Sequence, residues 1–406
     1  MPGTEALPSI LAVDIGTSSV RAVAFTTNGS IPARRQYSYG TIRPAPFFEE
    51  QDPHLVREAV YGAIRDLLSS GEIDPARIVG ICFASQMYGV FPVDRDDRAL
   101  ANNILWSDGR AEAQAERWKR ELGPLGFYPI TGCPLNSIYP IVKLRWMREK
   151  NPGTFSRAVR FVSIKDFVTA PLTGQWACDY SMASSTGMLD IRKHAWHPEA
   201  LYAAGVTADN LPAPVSGLER FSLMPDSPLA GSGLPAGLPV FLGGGDGPLA
   251  NLGSGASGVG DVNIDLGTSG AARTLSASPV TDPDAALWCF CLTESLWAYG
   301  GIVTNAGNAY QWLGSGILQP AGVSEAVAYE LLNVLAAGAG PGAGGLISVP
   351  YLRKARSPYW DGRLRGTLYG LTADHGIGHI ARAFLEAVAF DLKTILTLME
   401  ERVRVA

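Results

Sequence analysis

The sequence predicts a two-domain α/β protein. Three observations carry that expectation. Strand-like and helix-like segments alternate along the chain. A five-residue stretch, Asp14-Ile15-Gly16-Thr17-Ser18, returns as Asp265-Leu266-Gly267-Thr268-Ser269. The 406 residues also exceed what one domain of ~150 residues usually organises. The two copies lie too far apart for a solenoid repeat, so they point to two large domains of one construction.

The elements follow in order. Ile10 to Val13 is an apolar run closed by Asp14 and a Gly-Thr-Ser turn, and Val20 to Phe25 is apolar again, which predicts strand, turn, strand. Between His54 and Leu68, apolar residues recur at helical spacing. Ile78 to Phe83 reads as a buried strand, with a second strand at Val90 to Val93. Asp108 to Arg120 is polar and Ala-rich, a surface helix, and Ile141 to Met147 is helical up to Asn151-Pro152-Gly153. Val240 to Leu242 is a strand candidate inside a Gly/Pro-rich stretch. The domain boundary is therefore placed there, giving residues 1–240 and 241–406. Ala336 to Gly345 reads as a loop, and Ile377 to Val403 is the clearest helix.

Composition narrows the function. Charged residues are 17%, the net charge is −5, and the 46 glycines and 28 prolines indicate many turns. An acidic chain without a basic patch argues against a nucleic-acid binder. No run approaches the ~20 apolar residues of a membrane span, and Met1 to Ser9 reads as a loose leader. The five cysteines (82, 133, 178, 289 and 291) are odd in number, widely spaced and lack a C-x-x-C pair. Buried reduced thiols in a cytoplasmic protein are expected.

The repeated loop suggests the chemistry. A Gly-Thr-Ser turn between strands exposes successive backbone N–H groups that bind phosphate oxygens, and its hydroxyls add donors. The Asp beside it would repel bare phosphate but suits an intervening Mg²⁺, which prefers oxygen ligands and keeps several waters. No P-loop sequence is present. A second constellation, Phe241-Leu242-Gly243-Gly244-Gly245-Asp246-Gly247, runs a strand into three glycines and presents one carboxylate. The glycines allow close approach of a ligand, and the Asp suits a general base toward a hydroxyl. Each feature alone also fits an ordinary turn.

In one register, the chain resembles the FGGY carbohydrate kinases. The resemblance runs through Gln86-Met87-Tyr88-Gly89, Trp106-Ser107-Asp108-Gly109-Arg110, Thr131-Gly132-Cys133-Pro134 and Lys143-Leu144-Arg145-Trp146. It continues through Asp179-Tyr180-Ser181-Met182-Ala183-Ser184, Gly244-Gly245-Asp246-Gly247, Gly267-Thr268-Ser269 and Gly366 to Glu386. Ile138 and Phe384 depart from the family pattern at packing positions. The resemblance implies an actin/hexokinase-like (ribonuclease H-like) fold with a central cleft, and ATP-dependent phosphorylation of a sugar or sugar-acid hydroxyl with Mg²⁺. It implies Asp246 as catalytic base and Asp14 as the carboxylate near the metal and the γ-phosphate. Gly16, Thr17, Ser18, Gly267, Thr268 and Ser269 match the phosphate loops, and Gln86, Met87, Tyr88, Trp106 and Asp246 match substrate contacts.

Ser163-Ile164-Lys165-Asp166, Ala195-Trp196 and Leu292 to Trp297 look most like gluconate kinases of the family. Xylulose kinases share the pattern but commonly have His at the position of Tyr88, and glycerol kinases have an Arg-Glu pair at Met87-Tyr88. The helix spacing of His375 and His379 would suit a metal, but a capping role is the expectation without an acidic companion. Family members also continue past the long helix with a Gly-Gly-Gly segment near the adenosine. The second domain is thus expected to be incomplete at Ala406, with weak ATP affinity and a homodimer covering the exposed surface.

Overall fold

A computed structural model describes residues 7–319 and 322–405, so most of the predicted leader lies outside the described residues. The chain divides into two compact units, Met1–Gly253 with Phe290–Trp297, and Ser254–Cys289 with Ala298–Ala406. The boundary expected at 240/241 falls inside a strand, Pro239–Gly245, and the units part after Gly253. That strand belongs with the first sheet because its ladder runs beside Ile78–Ser85.

The first unit is built on a six-stranded mixed sheet. In chain order its strands are β1 (Ser9–Ile15), β2 (Ser19–Thr26), β3 (Ala33–Ser38), β4 (Ile78–Ser85), β5 (Phe221–Ser222) and β6 (Pro239–Gly245). Their spatial order is β5-β6-β4-β1-β2-β3. β1, β4 and β6 run parallel, and β2 returns antiparallel beside β1. Alternation explains β1: Leu11, Val13 and Ile15 are buried while Ile10 is exposed.

Helix α1 (Pro53–Ser69) begins where Asp52 accepts the His54 and Leu55 N–H groups, with Pro53 at its first position. Its apolar stripe, Val56, Val60, Ala63, Ile64 and Leu67, packs against the sheet core. Helix α2 spans Glu112–Leu122, shorter than expected because Asp108 is buried in the preceding turn, held to Arg110. The helix is not purely a surface one, since Trp118 is fully buried. Helices α3 (Pro140–Lys150), α4 (Ile164–Thr173) and α5 (Tyr180–Ser184) follow, and α6 (Asp246–Gly253) continues directly from β6.

The second unit holds most of a four-stranded sheet, β7 (Val262–Leu266), β8 (Gly270–Ser276), β9 (Trp288–Cys291) and β10 (Trp297–Val303), in the order β7-β8-β10-β9, with Phe290, Cys291 and Trp297 falling in the first unit. Beside it lie α7 (Glu325–Ala339) and α8 (Ile377–Glu400), which share a core of Leu332, Ala336, Ala381 and Phe384. The loop expected from Ala336 is still helix as far as Ala339. Alanine favours the helix, and Gly340, at φ +71°, is the residue that ends it.

Candidate active site

The first Gly-Thr-Ser turn joins β1 to β2 as expected. The Gly16 N–H donates to the Ser19 carbonyl at 3.0 Å, and a Cβ at Gly16 would lie 3.1 Å from that oxygen. Tyr39 Oη donates to the Gly16 carbonyl at 2.7 Å. Burial, reinforced by nearby Asp14, pushes the Tyr39 hydroxyl up, so it stays a donor. Asp14 stands at the end of β1, and Arg21 Nη1 donates to its Oδ2 at 3.0 Å. Burial raises the Asp14 carboxyl above its ordinary value, and Arg21 opposes part of that rise.

Three of the sequence-selected residues connect to this turn or to the Asp246 turn, and a fourth, Tyr88, is held beside them in the chain. Trp106 Nε1 donates to Thr17 Oγ1 at 3.0 Å. Gln86 is buried, and its Nε2 donates to Gln51 Oε1 at 2.8 Å; Gln51 Nε2 in turn donates to the Thr17 carbonyl. Met87 is buried beneath Gly245, where a Cβ would lie 2.6 Å from Met87 Sδ. Tyr88 has φ +68°, unusual for a residue with a side chain, and its ring meets Tyr139 and Phe290 edge-on. The Lys143 ammonium, wholly buried, donates to the carbonyls of Tyr88 and Leu105, both at 2.8 Å. It thereby ties the Tyr88 turn to the residue just before Trp106.

Asp246 is exposed where β6 becomes α6. The turn before it is irregular. The pairing of β6 with β4 shifts register between Phe241 and Gly244, and Gly243 takes φ +64°. Lys165 Nζ donates to the carbonyls of Leu242 (3.0 Å) and Gly244 (2.9 Å) and lies 2.5 Å from Asp179 Oδ2.

The second loop belongs to the other unit. Gly267 N–H donates to the Ser269 carbonyl at 2.8 Å. The carbonyls of Gly267 and Thr268 receive the N–H groups of Gly307 and Asn308, at 2.9 and 3.0 Å. A Cβ at Gly307 would lie 2.5 Å from the Gly267 oxygen, so only glycine fits there. Arg273, buried, donates to Asp265 and, at 3.0 Å, to Asn263 Oδ1.

Sequence reasoning gave no role to Gln51, Lys143, Lys165, Ser181 or Arg273. A signal existed for the two lysines, each lying in an otherwise apolar helix face. Among the described residues, no group of three His, Cys, Asp or Glu side chains could hold a metal, and no helix is long and apolar enough to cross a membrane. His375 and His379 use Nδ1 to accept the N–H groups of Thr372 (2.9 Å) and Gly376 (3.1 Å), which is capping.

Comparison with known proteins bears on both units. Residues 9–253 match the N-terminal domain model of the FGGY family of carbohydrate kinases, and residues 262–405 match its C-terminal domain model. The gluconokinase of Bacillus subtilis (strain 168) is 33% identical over 396 residues, which cover 97% of this chain and 77% of that protein. A solved gluconate kinase from Lactobacillus acidophilus superimposes with a TM-score of 0.90 at 30% identity, over 98% of this chain and 79% of the other. A solved xylulose kinase from the same organism gives a TM-score of 0.89 at 30% identity, over 96% and 78%. With both halves of its length matched in order, the chain belongs to the FGGY family of carbohydrate kinases, phosphotransferases that act on a sugar hydroxyl.

Proposed function

We propose that this kinase transfers the γ-phosphoryl group of ATP to a hydroxyl of gluconate, giving 6-phosphogluconate and ADP in the cytoplasm. The observation that carries the chemistry is the exposed Asp246 carboxylate at the strand–helix junction, in the same unit as the Asp14 turn. Asp246 takes the proton as the substrate oxygen forms its bond to the γ-phosphorus. The bond from that phosphorus to the bridging oxygen breaks, and its electron pair leaves on ADP. The N–H groups and hydroxyls of Gly16 to Ser18, and of Gly267 to Ser269, are suited to the phosphate oxygens.

The residues fit Mg²⁺. Burial disfavours the charge on Asp14, a cation would restore it, and a single carboxylate suits an ion that keeps waters and takes phosphate oxygens as ligands. Asp14 would hold the ion, which when bound neutralises charge on the transferring phosphoryl group. Gln86, Met87, Tyr88 and Trp106 form the sugar side in this reading, with Gln86 and Met87 acting from beneath, since both are buried.

Gluconate is favoured by the likeness to gluconokinases and by Tyr88 where xylulose kinases commonly have His. Xylulose is the second reading, because the solved xylulose kinase matches this chain as well as the solved gluconate kinase does. ADP release measured over gluconate, xylulose, ribulose and glycerol decides between them, with the highest kcat/KM expected for gluconate. Replacing Asp246 by Asn is expected to lower kcat by ~10²–10⁴-fold while ATP still binds. Near-normal turnover would remove Asp246 from the base role.

A further inference from the structure

Lys165 sits on α4 with 1% of its side chain exposed. Burying an ammonium costs several kcal/mol unless every N–H finds a partner, and a packed apolar residue would often serve stability as well. All three of its N–H groups have work here. Two go to the carbonyls of Leu242 and Gly244, and the third faces Asp179. The two carbonyls bracket Gly243, where the strand ladder loses its register. Three consecutive glycines have no side chains with which to hold a conformation, so their direction must be set through backbone hydrogen bonds.

The same cluster supplies the other restraints. Asp179 Oδ1 accepts the Met182 N–H and so caps α5. That helix carries Ser181, whose Oγ accepts the Gly245 N–H at 3.0 Å. From the opposite side, the Gly243 N–H donates to the Gly217 carbonyl at 3.0 Å. Every residue from Leu242 to Gly245 is thus gripped by a neighbouring element, and Asp246 comes next. We propose that Lys165, backed by Asp179 and Ser181, is a positioning residue that fixes the direction in which the glycine turn presents Asp246 to the substrate. This rests on the reading of Asp246 as general base.

Removing Lys165 alone leaves Asp179 as a buried uncompensated charge, so the test uses Lys165→Met/Asp179→Asn, which is neutral and keeps the helix cap. ADP release with gluconate and with xylulose, and amide hydrogen exchange, are measured on this variant, on Asp246→Asn and on the unmodified protein. The double variant is expected to melt close to the unmodified protein and keep KM for the sugar within about threefold. Its kcat is expected to fall by ~10–100-fold, as a misplaced reacting group implies. Exchange in residues 242–247 is expected to quicken at least about tenfold, with β4 unchanged.

An unmodified kcat in the folded double variant, with Asp246→Asn impaired, overturns the positioning role and leaves the base standing. Near-normal turnover in Asp246→Asn overturns both. A merely structural lysine would lower the melting temperature and leave kcat per folded molecule unchanged. In the unmodified protein, the Gly245 amide is expected to exchange as slowly as those of β4; rapid exchange there overturns the proposal without any variant.

Discussion

The two hairpins that carry the repeated Gly-Thr-Ser turn share a sequence and an Asp–Arg pair, yet they sit differently. β1 lies inside its sheet with β2 on one side and β4 on the other, whereas β7 is the edge strand of the sheet formed by the described residues. Ile264 and Leu266 are accordingly exposed, while Val13 and Ile15 are buried. The arginines are reversed. Arg21 is mostly in solvent, with 55% of its side chain exposed, and it holds Asp14 from outside; Arg273 has 7% exposed and depends on Asp265. One carboxylate has a loose partner and is available to a cation. The other neutralises a buried guanidinium. A sequence repeat therefore specifies a turn, and the depth of the partner decides what the Asp in it can do.

Four substitutions and one titration test that contrast. The largest effect is expected for Asp14→Asn, which should reduce kcat by ~10–100-fold without loss of melting temperature, as measured by ADP release and thermal unfolding. Asp265→Asn should do the reverse, keeping turnover per folded molecule within about threefold while the protein melts earlier. Equal kinetic losses in the two would erase the distinction.

Next come the arginines. Arg273→Ala removes a buried partner and should destabilise by about 2–3 kcal/mol, less than a fully buried pair because Asp265 is half in solvent. Arg21→Ala breaks an exposed pair and should cost under about 1 kcal/mol in denaturant unfolding. The smallest effect is a matter of pH. The Asp14 carboxyl is raised on folding, so its contribution to stability is present at low pH and lost as pH rises through its folded value. Asp14→Asn should therefore gain slightly on the unmodified protein in melting temperature as pH rises above that value, the gain being damped because Asp14 is partly in solvent. A constant difference across pH would contradict the assignment.

Much of this was legible in the residues. Periodicity found α1 and α8 because each buries one continuous apolar stripe, and the repeat marked both hairpins. The unit boundary was misplaced because glycine and proline between 211 and 260 mark turns, and a buried strand such as β6 can run among them. The Lys165 and Lys143 clamps escaped notice for another reason. Their partners are backbone carbonyls far away in sequence, and a carbonyl leaves no trace in the identity of its residue. Arg273 was missed likewise, since nothing local to it tells that its side chain points inward.

The left-handed backbone at Tyr88 restricts which residues can take its place. Lys143 grips the Tyr88 carbonyl, so the main chain there stays put when the side chain is exchanged. Only residues that tolerate positive φ can be sampled without strain, glycine most freely, then Asn, Asp and His, with Val, Ile and Thr the least comfortable. Substitution at this position is thus channelled into glycine and a short menu of polar and aromatic alternatives.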